Sequence, residues 1–273
     1  MSGHIERIVV ALDATSENRA AIGAAARLAA RWKARLHGVF VEDDDLIRLA
    51  HLPFARQVTL GFGVETLDLP QAEQQMRAYA ERAQRELVAA AKRHGIEASF
   101  EIVRGPAADH IGAGSEGDFL VCATTTRPVG GHFRMECRWW SAIELGAVPY
   151  LLAQGAGGEG TVAALLRDRG PESERLLDAT ARLAEAHGGR LAVICSPELA
   201  KTAGFRAWLD KCLSGQSVTV ELDLAPADSA ALIRRIVELD CRVVAVASGS
   251  AQAQASGLRE MVAKIDCDIL VVR

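Results

Sequence analysis

The chain contains one pattern written twice. Asp13 and Asp168 lie 155 residues apart, and that offset carries Ala26-Arg-Leu-Ala29 onto Ala181-Arg-Leu-Ala184 and Arg35-Leu36 onto Arg190-Leu191 without a gap. The first copy opens with Arg7-Ile-Val-Val-Ala-Leu-Asp13, a continuous apolar run ending in a carboxylate, which predicts a strand buried on both faces. Ser16 is the candidate N-cap of a following helix whose inner face carries Ile22, Ala25, Ala29 and Trp32. Arg35 to Val41 predicts a second strand, so the unit is strand, helix, strand with a right-handed parallel crossover. Residues 162–198 repeat it, with Pro171 in the first helical turn, where proline is tolerated, and Leu176, Thr180, Leu183 and His187 along the buried stripe.

The later segments correspond once a shorter middle is allowed in the second half. FEIVRGPA (100–107) matches VELDLAPA (220–227), and DFLVCAT (118–124) matches CRVVAVAS (241–248). Each half closes on an apolar strand, Pro149 to Ala153 and Asp268 to Val272, giving about five strands and four helices per half. The run from Gly155 to Gly160 reads as a linker, so the predicted domains are 1–154 and 161–273. The first half carries an insertion at 42–71, ahead of a helix expected at about 72–94. Its segment 46–62 holds Leu46, Ile47, Leu49, Leu52, Phe54, Val58, Leu60 and Phe62, too apolar for a solvated loop. Two readings stay open: a cap or dimer contact, or a lid or partner-binding surface.

Composition excludes several classes of function. A net charge of −4 and pI near 6.0 remove the broad attraction that nonspecific nucleic-acid or anionic-membrane binding needs. No apolar stretch approaches the roughly 20 residues of a membrane span, and the N-terminal run lacks the length of a signal peptide. Six scattered cysteines without a C-x-x-C pair fit a reducing compartment, so a cytoplasmic location is expected. His132 and Cys137 alone are too few for a closed zinc site, and no metal is expected. No G-x-S-x-G, H-E-x-x-H or P-loop occurs, and the chain is expected not to be an enzyme.

The strand ending in Asp13 or Asp168, the A-R-L-A helix, the two fourth-strand runs and the closing CDILVVR together resemble the universal stress protein family. The resemblance implies an α/β fold of two tandem Rossmann-like domains, each a five-stranded parallel sheet of order 3-2-1-4-5 with helices on both faces. It also implies pairing of the halves through their fifth strands, with a larger homo-oligomer open. Ligands of such sheets sit outside the carboxyl ends of the strands where the order reverses. The first pocket is then expected around Asp13, Ala14, Thr15, Val41, Ala123, Thr124, Thr125, Thr126, Arg127, Arg134 and Cys137. The second is expected around Asp168, Ser248, Gly249, Ser250 and Ser256.

Nucleotide-binding members carry glycines after the fourth strand as G-x-x-G, nine residues, G-S/T, whose amides cradle phosphate. Here those positions fall on Ala123, Thr126 and Glu136-Cys137, and in the second half on Ala247, Ser250 and Ala255-Ser256, with a shorter spacing. The glycines are missing and Glu136 adds a negative charge. No cofactor is therefore expected, and the chain reads as a regulatory or scaffolding protein with degenerate pockets and an unidentified protein partner. The alternative is a sensor that holds ATP, AMP or another small anion in the first pocket through Arg127, Arg134, Arg138 and the three threonine hydroxyls. Of Trp139 and Trp140, which diverge on a helix, one is expected in the core and the other at an interface.

Overall fold

The computed structural model describes residues 5–14, 18–42, 56–58, 64–66, 69–105, 110, 117–123, 148–155, 159–224 and 228–273. The expected cap Ser16, the pair Trp139 and Trp140, and most of the 46–62 segment lie outside these residues.

The first half begins with β1 (Arg7–Leu12), whose apolar run is buried beyond Arg7. Helix α1 (Asn18–Trp32) follows and buries Ala21, Ile22, Ala25, Leu28 and Ala29, the stripe that helical spacing demands. Next come β2 (Arg35–Glu42), two short strands β3 (Arg56–Val58) and β4 (Val64–Thr66), helix α2 (Leu69–His94), β5 (Ala98–Arg104), β6 (Asp118–Ala123) and β7 (Tyr150–Ala153). The helix expected at about 72–94 starts three residues earlier, because Pro70 falls in its first turn, where no intrahelical donor is lost. The insertion is therefore shorter than 42–71 and contains an antiparallel ribbon, with Arg56 opposite Thr66 and Val58 opposite Val64.

The second half runs β8 (Thr161–Leu166), α3 (Pro171–Ala186), β9 (Arg190–Cys195), the short α4 (Pro197–Ala200) and α5 (Phe205–Cys212), β10 (Thr219–Leu224), α6 (Ser229–Glu238), β11 (Cys241–Ala247), α7 (Ala255–Lys264) and β12 (Asp268–Val272). Ten strands form one sheet of order β10-β9-β8-β11-β12-β7-β6-β1-β2-β5. Counted within its own half, each set runs third, second, first, fourth, fifth. Within this ten-stranded sheet every pairing inside a half is parallel, and the join between the halves, β12 to β7, is antiparallel, with Leu270 opposite Leu151.

That seam is dry. All residues of β7 and β12 are buried, and each large aliphatic side chain there is worth about 2 kcal/mol of transfer free energy. Asp268 accepts from the Gln154 backbone N–H at 2.7 Å, and the Gln154 amide donates to the carbonyls of Cys267 at 2.8 Å and Ile265 at 3.3 Å. The strand ends are thus tied by polar contacts while the strand centres pack. At the other ends of β1 and β6, Arg7 forks onto Asp118 at 2.8 and 2.6 Å.

Apolar layers lie on both faces of the sheet. The halves differ most between their second and third strands. In the first half the long α2 presses onto β2 so closely that a Cβ at Gly38 would meet Leu87 at 2.9 Å and Phe100 at 3.0 Å. The 155-residue offset places Val193 at the same position in the second half, where the helices that follow the second strand are the short α4 and α5.

Candidate functional site

The tip of β1 is shaped by a local accounting of hydrogen bonds. Where the chain leaves the sheet for α1, Asn18 reaches back, its amide donating to the Asp13 carbonyl at 2.5 Å and its oxygen accepting from the Asp13 N–H at 3.3 Å. Asn18 is 7% exposed, so the turn is closed by a buried side chain. Beside it opens a cleft of about 310 Å³, with Asp13, Ala14 and Asn18 on one wall and Tyr79, Arg82 and Glu86 of α2 on the other. Arg82 Nε donates to Glu86 Oε1 at 3.2 Å, and the Tyr79 ring stands at the rim.

Of the residues expected in the first pocket, the structure brings Asp13 and Ala14 together in this cleft. Val41 and Ala123 are not among its lining. Both are buried and pack in opposite apolar layers, Ala123 with the α1 and α2 side and Val41 with the other. Thr15, Thr124, Thr125, Thr126, Arg127, Arg134 and Cys137 lie outside the described residues.

In the second half the tip of β8 closes differently. Asp168 Oδ1 accepts from the Gly170 N–H at 2.7 Å and from the hydroxyl of Ser173 at 2.8 Å. The Gly170 hydrogen bond, the Ser173 hydroxyl and nearby Arg167 hold the Asp168 carboxyl below its ordinary range. Across the sheet crevice, the segment after β11 is short and satisfies itself. Ser250, 7% exposed, accepts from the Ala253 N–H through its hydroxyl at 3.2 Å and donates its own N–H to Ala247 at 2.9 Å. The Ser248 N–H bonds to the Val272 carbonyl at 2.8 Å. Ser256 belongs to α7.

Two contacts then span the crevice. Arg167 donates to Gln252 at 3.4 Å, and the carboxylate of Glu172, in the first turn of α3, presses on Gly249 so closely that a Cβ there would lie 2.7 Å from Glu172 Oε2. The second pocket therefore holds a carboxylate of its own chain. Sequence reasoning missed Glu172, which carries no motif, and the residues of α2. It also passed over Asn18 and Ser173, although these share one position of the 155-residue repeat and that equivalence was readable.

Among the described residues, the deeply buried cysteines are held as thiols. Burial raises the thiols of Cys122, Cys241 and Cys267, that of Cys241 to about 12, so almost no thiolate forms at neutral pH. Among the described residues no three His, Cys, Asp or Glu side chains stand together as a metal site, and no helix is long and apolar enough to cross a membrane.

No protein-family model and no curated protein matches this chain. Solved structures do. A universal stress protein from Archaeoglobus fulgidus DSM 4304 superposes with a TM-score of 0.65 at 15% identity, over 97% of this chain and 96% of that one. A functionally unknown protein from Pseudomonas aeruginosa PAO1 gives 0.60 at 15% identity, over 98% and 92%. Agreement across nearly the full length of both partners establishes a shared Rossmann-like α/β fold.

Proposed function

We propose that the chain belongs to the universal stress protein family as a non-enzymatic, cytoplasmic regulatory or scaffolding member that works through a protein partner, and that its nucleotide pockets are degenerate. The full-length likeness to a universal stress protein supports the family, on the strand ends and A-R-L-A helices noted above. The observation that carries the degeneracy is Glu172 against Gly249. A phosphate entering the crevice between β8 and β11 would meet that carboxylate. At about 5 Å and an effective dielectric of about 20, the repulsion is about 3 kcal/mol, a hundredfold or more in affinity. The hydroxyl of Ser250 and the carboxylate of Asp168 are already engaged by the chain itself.

A second reading, a sensor of a nucleotide or other small anion in the first half, is favoured by the open cleft beside Asp13. Calorimetric titration of ATP separates the two readings. The wild type is expected to give no saturable signal at about 1 mM, and Glu172→Ala is expected to gain affinity. Submillimolar ATP affinity in the wild type overturns degeneracy, and affinity unaltered by Glu172→Ala assigns it to the first half.

A further inference from the structure

The ten-stranded sheet ends on β10, and among the described residues no strand lies beyond it. The Thr219 N–H donates to the Gly189 carbonyl at 2.7 Å, so Thr219, Glu221 and Asp223 turn their backbone groups toward β9. In a parallel pair alternate residues face the neighbouring strand, which leaves the N–H and C=O of Val220, Leu222 and Leu224 directed outward. A row of open donors and acceptors of this kind accepts an added strand.

The side chains of this edge divide by face. On one face α5 plugs the apolar layer with Phe205, 2% exposed, and Trp208, their ring centroids 5.8 Å apart, and the Trp208 N–H donates to Glu174 of α3 at 3.2 Å. Leu222 packs against that layer, while Val220 and Leu224, on the same side of the strand, stay 37% and 51% exposed. The opposite face carries Glu221 and Asp223. Arg235 of α6 forks onto Asp223 at 2.9 and 2.6 Å and reaches Glu238 at 2.7 Å, so one guanidinium serves two carboxylates. Glu221 is exposed and lies opposite Ala192, and Arg190, the cation of β9, lies opposite Thr219. The first-half edge, β5, is dressed differently. Its Glu101, which matches Glu221 in the repeat, meets His37 at 3.2 Å, and Arg104, which stands where β10 has Leu224, pairs with Glu42 at 3.0 Å.

We propose that the edge of β10 docks an extended segment of a protein partner in which apolar and basic residues alternate, added antiparallel as a further strand. Its apolar side chains lie beside Val220, Leu222 and Leu224, and its basic side chains lie opposite Glu221 and Asp223, where opposite charges across a strand pair attract. A second copy of this chain fits less well. Paired about a two-fold through Leu222, it sets Glu221 against Asp223 of the other copy, and like charges directly opposite are destabilising. The proposal rests on the reading of the chain as working through a protein partner and gives that partner a chemistry and a place; the nucleotide pockets take no part in it.

The experiment is titration of the full chain with the capped synthetic peptide Lys-Val-Lys-Val-Lys-Val-Lys, followed by amide chemical shifts and hydrogen exchange. Saturation with a Kd at or below about 1 mM is expected, together with slowed exchange at Val220, Leu222 and Leu224. Those amides are the outward ones, so their protection reports an added strand rather than attraction between charges alone. The peptide with glutamates in place of its lysines, and the lysine peptide N-methylated on its valines, should each bind at least about tenfold more weakly. Glu221→Lys changes an exposed side chain that the fold does not need, and it should weaken the lysine peptide about tenfold while strengthening the glutamate peptide. Leu224→Arg gives the edge the residue that β5 carries and should also weaken the lysine peptide. Absence of saturation, equal binding of the N-methylated peptide, or indifference to Glu221→Lys overturns the proposal. Protection at β5 in place of β10 overturns the site and leaves the partner reading standing, whereas ATP binding overturns the degenerate pockets and leaves the edge result unchanged. Self-association in sedimentation that Leu224→Arg abolishes assigns the edge to a second copy and overturns the proposal as well.

Discussion

Asp13 and Asp168 hold the same place in two copies of one scaffold and are used differently. At Asp168 the carboxylate itself closes the turn, taking the Gly170 N–H and the Ser173 hydroxyl. At Asp13 the side chain of Asn18 closes the turn through the backbone of residue 13, and the carboxylate lines a cleft. One substitution in the repeat, Asn18 in one half for Ser173 in the other, decides this. The Asn18 amide reaches both the N–H and the carbonyl of residue 13, whereas the shorter Ser173 hydroxyl donates to the Asp168 carboxylate. A duplicated fold can thus keep its architecture while its two copies close the same turn with different groups.

The comparison assumes that both copies lean on one common seam, and the largest expected effect tests that. Leu151 and Leu270 face each other across β7 and β12 and are each 1% exposed. Replacing either by aspartate buries an unpaired carboxylate where no partner waits, and a loss of about 4 kcal/mol or more is expected in urea unfolding. Both halves should lose structure together. If Leu270→Asp melts only the second half while signals of the first persist, the halves are independent and the common-scaffold comparison breaks.

The next effect sharpens the contrast between filled and open space. Phe205→Ala empties the aromatic plug of the second half and should cost about 3–5 kcal/mol, whereas Tyr79→Ala at the rim of the first-half cleft should stay within about 0.5 kcal/mol. The pair is measured by the same denaturant titration. A costly Tyr79→Ala would mean that the cleft wall is packed rather than open.

Much of the fold was legible because it rests on patterns longer than a single element. The unbroken offset between Arg7–Val41 and its copy placed strand, helix and strand twice, and the family resemblance implied the pairing of the closing strands β7 and β12 seen at the seam. Boundaries moved by a few residues: the helix expected from about 72 begins at Leu69, with Pro70 inside its first turn. The site was less legible. Asp13, Asp168, Gly249 and Ser250 were singled out because they lie at strand ends, where any α/β sheet collects polar groups. Glu172, Tyr79, Arg82 and Trp208 were not, because what they touch depends on how far a helix stands from the sheet. In the first half that closeness rests on Gly38, where a Cβ would meet Leu87 of α2 at 2.9 Å, a contact remote in sequence.

The smallest effect bears most directly on the comparison of the two tips. Asp168 has a folded pKa below its unfolded value of about 3.9, so its interactions stabilise the chain above that pH, and the contribution fades as pH falls through the folded pKa. Ser173→Ala removes one of the two hydrogen bonds that hold the carboxyl down. The stability gap between wild type and this variant is therefore expected to be present at neutral pH and to narrow below about pH 4. Asp168 is exposed, so water screens the effect and the titrating part of the gap should stay under about 1 kcal/mol. Asn18→Ala removes bonds to a backbone N–H and carbonyl, neither of which titrates, and its gap should be flat over the same range. Carbon NMR of the Asp168 carboxyl gives the site directly, with its midpoint expected to rise toward the ordinary value in Ser173→Ala. If the two gaps share one pH profile, or if the Asp168 midpoint is indifferent to Ser173, the carboxylate is not what closes the second tip, and the difference between the halves lies elsewhere than in residues 18 and 173.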